Sequence, residues 1–292
     1  MILQVNNLTK RYGKGKTALN NFSYQFSDGI YGLLGPNGAG KSTLMNIITQ
    51  NLAPTSGEIL ADGKSIGEMG KSYRGLLGFM PQQQALYPDF TLTRFLYYMA
   101  GLKGISKKSA APQIAELIRC VNLSEFAHSK LGGFSGGMKQ RALLAQALIG
   151  SPKIVILDEP TAGLDPKERI RLRNLIAQTA FDKIVIIATH VVPDVEFIAK
   201  EVLFLKDGEI IDGGAPAKLC ESVSKKVFEV IIEESELSRL QQNYRVANIT
   251  HEGELLCVRV ICDSAPKGEH RTVTPTLEDL YLYHFGEYCF PK

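Results

Sequence analysis

No apolar run in these 292 residues approaches the roughly 18 that a membrane-spanning helix needs. The longest, such as residues 154–157 and Ile184–Ala188, are short, and mean hydropathy is −0.02. An excess of one charge sign is also missing. Lys and Arg number 33 and Asp and Glu 30, for a formal net charge of +3. That balance gives no reason to expect a nucleic-acid binder or a polybasic membrane surface. Cysteine is scarce and odd in number, five in all. Cys257 and Cys262 are too isolated for a four-ligand zinc site, and the thin spread favours a reduced, cytosolic protein over a disulfide scaffold. The first residues, 1–13, lack the charged, then apolar, then small order of a signal peptide. No repeat of about 20 to 50 residues and no low-complexity tract is visible. With 45% hydrophobic residues, the chain reads as folded, with room for one large domain or a large and a small one.

Short strand-like runs at residues 2–5, 21–26 and 30–34 are separated by turn-rich stretches. The third leads into a glycine-rich loop, after which Leu44, Ile47, Ile48 and Leu52 fall at helical spacing. Residues 92–150 read mainly helical, interrupted by Gly, Pro and Ser. Residues 154–157 and Ile184–Ala188 are wholly apolar and rich in β-branched side chains, the pattern of strands buried on both faces of a parallel sheet. The polar helical stretch Pro166–Thr179 between them makes a β-α-β unit. Gly, Asp and Pro gather around residues 207–216, and the main domain is expected to end soon after. Beyond it, strand patterns (Val227–Ile232, Leu255–Ile261) alternate with helical ones (residues 236–242 and 276–285), a small α/β appendage.

Gly35-Pro36-Asn37-Gly38-Ala39-Gly40-Lys41-Ser42-Thr43 fits G-x-x-x-x-G-K-[ST] between a strand and a helix. Its glycines let successive N–H groups form a nest for anionic oxygens, with the positive end of the following helix on the same site. Lys41 places a cation on the β- and γ-phosphates, and the Ser42 hydroxyl suits Mg²⁺. A Gly-Lys-Ser turn here has little purely structural use. Alone, it leaves kinases, GTPases and ATPases open.

Asp158 and Glu159 follow the first apolar strand, at the end where parallel α/β sheets bind ligands. Asp158 is the candidate for holding Mg²⁺ through water, and Glu159 for general base on the attacking water. A solvated acidic turn would explain the pair equally well without the phosphate loop. His190 ends the next apolar strand at the same sheet edge, within reach of a γ-phosphate. Ser135-Gly136-Gly137 precedes an apolar helix and leaves its first-turn N–H groups bare, a second anion site. Capping alone accounts for Ser135; two successive glycines weaken a helix start and need another reason.

The ordered set GPNGAGKST, FSGGMKQR, ILDEP, AGLDP and ATH resembles the ATP-binding subunit of an ABC transporter over about residues 2–220. Phe134 stands where that family usually has Leu, an exchange of one apolar packing residue for another. The resemblance implies an α/β fold: a P-loop NTPase core with a mostly parallel sheet, an N-terminal antiparallel β part and a helical subdomain at about 83–150. It implies an ATP-binding domain over 1–220, leaving 221–292 as a small accessory domain. It further implies ATP hydrolysis with Mg²⁺ and head-to-tail pairing with a second copy or a similar subunit. Each Ser135-Gly136-Gly137 would close over the other subunit's ATP, with Asp165 at the interface. Tyr12 matches the residue that stacks on adenine. Gln82 matches the glutamine that reaches Mg²⁺ and senses a membrane partner.

Without spanning segments, the pore is expected on a separate permease chain, with this subunit cytoplasmic and peripheral on the inner face of the cell membrane. The stretches at 85–90 and 276–287 are similar to those of bacterial exporters of drugs, peptides or antibiotics. In the family, the region after Gln82 leads to a groove that receives a short helix of the permease. Tyr87 and Phe90 are candidate anchors there, ahead of a helical stretch holding Phe95, Tyr97 and Tyr98; aromatics at this spacing also serve as core. A soluble ABC-type ATPase acting on DNA or ribosomes is the alternative, but such relatives carry coiled-coil insertions or two cassettes, and neither is here. A P-loop kinase would leave the Ser-Gly-Gly motif unused.

Overall fold

The computed structural model describes residues 1–13, 15–82 and 86–286. Gln83, Gln84 and Ala85, which follow Gln82, and Glu287, the last residue of the 276–287 stretch, lie outside the described residues.

Strands β1 (Leu3–Tyr12) and β2 (Lys16–Phe26) form an antiparallel hairpin, with Tyr12 opposite Lys16. β3 (Gly29–Leu34) runs into the glycine-rich loop and α1 (Lys41–Ile48). β4 (Ser56–Ala61) pairs with β1 and β5 (Lys64–Ser65) with β4, giving a first sheet ordered β2-β1-β4-β5. Short helices α2 (Ile66–Met69) and α3 (Lys71–Gly75) lead to β6 (Leu77–Met80). The helical part follows as α4 (Leu92–Leu102), α5 (Lys107–Cys120) and α6 (Gly136–Ala147). Then come β7 (Ile154–Asp158), α7 (Pro166–Thr179), β8 (Ile184–Ala188), α8 (Pro193–Glu196), β9 (Glu201–Lys206) and β10 (Glu209–Gly214). The second sheet is ordered β10-β9-β3-β8-β7-β6. All its pairs are parallel except β9 with β10, so the expected mostly parallel sheet is present.

The apolar strands β7 and β8 sit in the middle of this sheet because both of their faces are covered. Alternate side chains serve opposite cores. Ile154 and Ile156 pack with Leu33, Leu44, Ile48 and Phe26 under the antiparallel sheet, whereas Val155 and Leu157 pack with Leu34, Phe95, Leu96 and Leu144 under the helical part. Each such buried side chain contributes roughly 1.5–3 kcal/mol. Register then brings the strand ends level: Leu33 and Asp158 both pair with Ala188, and Met80 pairs with Leu157.

After α9 (Pro216–Glu221), the third sheet holds β11 (Val227–Ile232), β12 (Arg245–Glu252), β13 (Leu255–Ile261) and β14 (His270–Thr272), ordered β12-β13-β11-β14 and antiparallel. Helix α10 (Leu237–Asn243) lies between β11 and β12 in the chain. Phe228, Val230, Leu240, Val258 and Val260 give this sheet a core of its own. The last helix, α11 (Leu277–Phe285), leaves that core: Leu277 and Leu280 join the large cluster of the helical part. No helix among the described residues is long and apolar enough to cross a membrane.

One ion pair ties α11 to the third sheet. Asp279 is buried and forms a capping box with Thr276. Arg259 on β13 donates to both its oxygens, at 2.9 and 2.7 Å, and to the Thr274 carbonyl at 2.7 Å. Removing one member of a buried pair strands the other. Arg259→Ala is therefore expected to lower stability by ~3 kcal/mol in a urea titration. A loss under ~1 kcal/mol would place the pair with exposed surface bridges.

Candidate active site

The glycine-rich loop is shaped by close approaches. A Cβ on Gly40 (φ +105°) would lie 2.4 Å from the Ala18 carbonyl, so only glycine fits where the loop passes under β2. Gly38 (φ +86°) faces open space, which leaves its backbone accessible. No side chain caps the start of α1, so the N–H groups of its first turn are not taken up by a cap, as an anion-binding end requires.

Lys41 is buried. Its ammonium donates to the carbonyls of Gly35 (2.5 Å) and Pro36 (3.2 Å). Burial holds its pKa below the usual lysine range, while Glu159 and then Asp158 act against that shift. Asp158 ends β7 and takes a hydrogen bond from Ser42. Burial nevertheless holds its carboxyl above the usual range, with Glu159 adding repulsion and Lys41 attraction. The next residue, Glu159, is buried in a left-handed conformation (φ +51°), a strained backbone for a non-glycine residue. His190 Nδ1 lies 2.9 Å from its Oε1, and Thr189 Oγ1 lies 3.4 Å from its Oε2. Thr161 in the following loop bonds the buried Asp194 of α8, anchoring that loop to the segment after His190.

A cleft of about 370 Å³ gathers these groups. Tyr12, Asn37, Gly38, Ala39, Gly40, Lys41, Ser42, Thr43, Gln82, Asp158 and Glu159 line it. Gly35 and Pro36 sit behind, as acceptors for Lys41, and His190 joins through Glu159. Ser135, Gly136, Gly137 and Asp165 do not line it. Ser135 accepts from Met138 N and Asp165 from Glu168 N, each capping its own helix. Sequence reading missed two lining residues, Lys16 and Ala18. Lys16 faces Tyr12 across the first hairpin, a pairing that the spacing of a tight β-turn could have shown.

Ser42, Gln82 and Asp158 offer a hydroxyl, an amide and one carboxylate, hard oxygen donors of the kind Mg²⁺ takes. Partial burial also costs the Asp158 carboxylate more than Ser42 and Lys41 return. Among the described residues no three His, Cys, Asp or Glu side chains converge. The set therefore fits an ion held with phosphate oxygens better than an all-protein cage.

The family model described as ABC transporter matches residues 19–162. The ABC transporter ATP-binding protein YxlF of Bacillus subtilis (strain 168) is 34% identical over 96% of this chain and 98% of its own length. The linearmycin resistance ATP-binding protein LnrL of the same organism is 32% identical over 98% and 92%. The dimeric post-hydrolysis structure of the ATP-binding cassette MJ0796 bound to ADP and Pi superposes with a TM-score of 0.65, at 29% identity, over 73% of this chain and 98% of that one.

Because the Asp158 pKa is raised, the folded chain holds its proton more tightly than the unfolded one. Its charge thus costs stability above the usual carboxylate range. Asp158→Asn is expected to raise the melting temperature of nucleotide-free protein at pH 7, and to erase the further rise that Mg-ATP gives the parent. Scanning fluorimetry reads both. A lower nucleotide-free melting temperature would show the carboxylate to be net stabilised by its partners.

Proposed function

The chain belongs to the ABC transporter family as an ATP-binding ATPase subunit, and from that premise we propose that it powers a membrane exporter. The observation that carries the site assignment is the convergence of the phosphate loop, Ser42, Gln82, Asp158 and Glu159 on one cleft at the carboxyl edge of the parallel sheet. ATP would lie with its adenine on Tyr12 and its phosphates on the N–H groups of residues 38–43. Lys41 would leave the loop carbonyls for the β- and γ-phosphates. Ser42, Asp158 and Gln82 would hold Mg²⁺, which when bound neutralises charge on the phosphate oxygens.

Glu159 would take the proton of the attacking water, yielding ADP and phosphate. Its left-handed backbone and its contacts with His190 and Thr189 restrict the carboxylate to one orientation. His190 is mostly exposed on its other side, free to meet a γ-phosphate.

Two copies would pair head to tail, each offering Ser135-Gly136-Gly137 and Asp165 to the partner's ATP. Their exposure at Ser135, Gly136 and Asp165, away from their own cleft, supports this, as does the likeness to a dimeric cassette holding ADP and Pi. A permease on a separate chain would dock beside Gln82 and hold the subunit peripherally on the inner membrane face. Tyr87 and Tyr98 are exposed there and half-buried Phe90 stacks on Tyr87 at 4.9 Å, while Phe95 is core. Export is favoured by the relative named for linearmycin resistance, since expelling a compound is one route to resistance. Residues 1–220 would form the motor and 221–292 an accessory unit.

Glu159→Gln keeps a polar group of similar size but removes the base. Turnover is expected to fall by at least ~10² while ATP still binds. Near-normal turnover would remove Glu159 from the chemistry. Lys41→Ala is expected to abolish ATP binding at working concentrations in calorimetry; ordinary affinity would reduce the loop to a structural turn.

A further inference from the structure

The two helix starts assigned above to the partner's ATP are joined inside one subunit by a side chain outside every motif. We propose that Glu168 is a positioning residue that locks the Ser135-Gly136-Gly137 helix start and the Asp165 loop into one rigid face. The inference rests on the shared-ATP dimer and deepens it.

Glu168 lies in the first turn of α7, and its own N–H is the one that Asp165 caps, at 2.9 Å. Its carboxylate reaches across to α6: Oε2 is 3.4 Å from Nε of Arg141, and Oε1 is 3.0 Å from Arg171 on its own helix. Arg141 is buried, with burial holding its pKa below the usual arginine range and Glu168 the first group acting against that shift. From the same guanidinium, hydrogen bonds run to the carbonyls of Val121 (3.2 Å) and Asn122 (3.0 Å), just past α5. One buried cation therefore ties α5, α6 and α7, and Glu168 is the carboxylate that compensates it.

The glycine pair identifies the same contact independently. A Cβ on Gly137 would lie 2.5 Å from Glu168 Oε2 and 2.9 Å from its Cγ. A Cβ on Gly136 would meet only Leu164 Cδ2, at 3.9 Å. A side chain at 137 would thus have to push the Glu168 carboxylate aside, whereas 136 is open. The carboxylate is seated against the backbone of the helix start that faces the partner. Without its charge, Arg141 is left buried and unpaired, and α6 is free to shift against α7. That shift would spoil the match to a second copy's ATP while leaving the subunit's own cleft, built on β3 and β7, intact.

The test uses the full chain carrying Glu159→Gln, so that bound ATP is retained. Glu168→Gln is added, preserving shape while removing charge. Calorimetry measures ATP affinity at a protein concentration where the subunit is monomeric, and sedimentation measures Mg-ATP-driven association. The expected result is monomer affinity within twofold of the parent and association weakened at least tenfold. In the Glu159 background, turnover of Glu168→Gln should fall through kcat with KM little changed. Equal association in both proteins would overturn the inference. So would a parallel loss of monomer ATP binding, which would make Glu168 a residue of the whole fold. Should Glu159→Gln alone fail to associate with Mg-ATP, the shared-ATP reading falls first, and this inference falls with it. As a second probe, Glu168→Asp shortens the carboxylate but keeps its charge and is expected to recover most of the association; no recovery contradicts the role given to the charge.

Discussion

Three charged groups gathered at one sheet edge, Lys41 and Glu159 buried and Asp158 half-buried, set the terms for the rest of this molecule. Lys41, Asp158 and Glu159 are held within one cleft, and burial displaces the pKa of Lys41 downwards and that of Asp158 upwards. Such groups persist only where surrounding structure fixes them, because each alone would escape to water or change protonation. The fixing agents here are packed strands. β3, β7 and β8 have apolar side chains on both faces, and their register lines up the end of β7, which carries Asp158 and Glu159, with the end of β3, from which the loop leads to Lys41. A cluster that is uncomfortable without ligand is also one that a polyphosphate and a divalent ion relieve. Stability given up in the empty site becomes affinity in the filled one.

The same constraint explains why so much of the chain lies away from the chemistry. The antiparallel sheet covers one face of the parallel sheet and supplies Tyr12, Lys16 and Ala18 to the cleft. The helical part covers the other face and presents the Ser135-Gly136-Gly137 helix start to solvent at Ser135 and Gly136. A nucleotide seated in the cleft would therefore be gripped on one side only. The Arg141–Glu168 bridge belongs to this division, since it joins the two helix starts on the open face of the subunit.

The sequence reading succeeded wherever the physics is local. The phosphate loop is contiguous, and the wholly apolar runs at β7 and β8 announce burial on both faces. It failed where contacts cross elements. Lys16 and Ala18 enter the cleft only through hairpin register, and Thr189 and Asp194 matter only through the side chains they bond. Glu168 lies outside every motif, and its partner Arg141 is on another helix. β12 was missed because Arg245–Glu252 is half-buried or exposed throughout, so its residues show no alternation to read; β14 has three exposed residues. The α11 segment was read as a helix, but its attachment to the large core depends on Leu277 and Leu280 reaching past the third sheet.

The claim on which this account turns is that a working site needs two chains. Mixing two inactive variants tests it most directly. Lys41→Ala removes the phosphate cation but leaves the Ser135-Gly136-Gly137 face intact, and Gly136→Asp places a charge on that face but leaves the phosphate loop intact. A mixed dimer would then hold one complete site, built from the loop of one chain and the face of the other. The account predicts that combining the two restores phosphate release that neither protein shows alone. A mixture as inactive as its components, with association confirmed in the same sample, would contradict it.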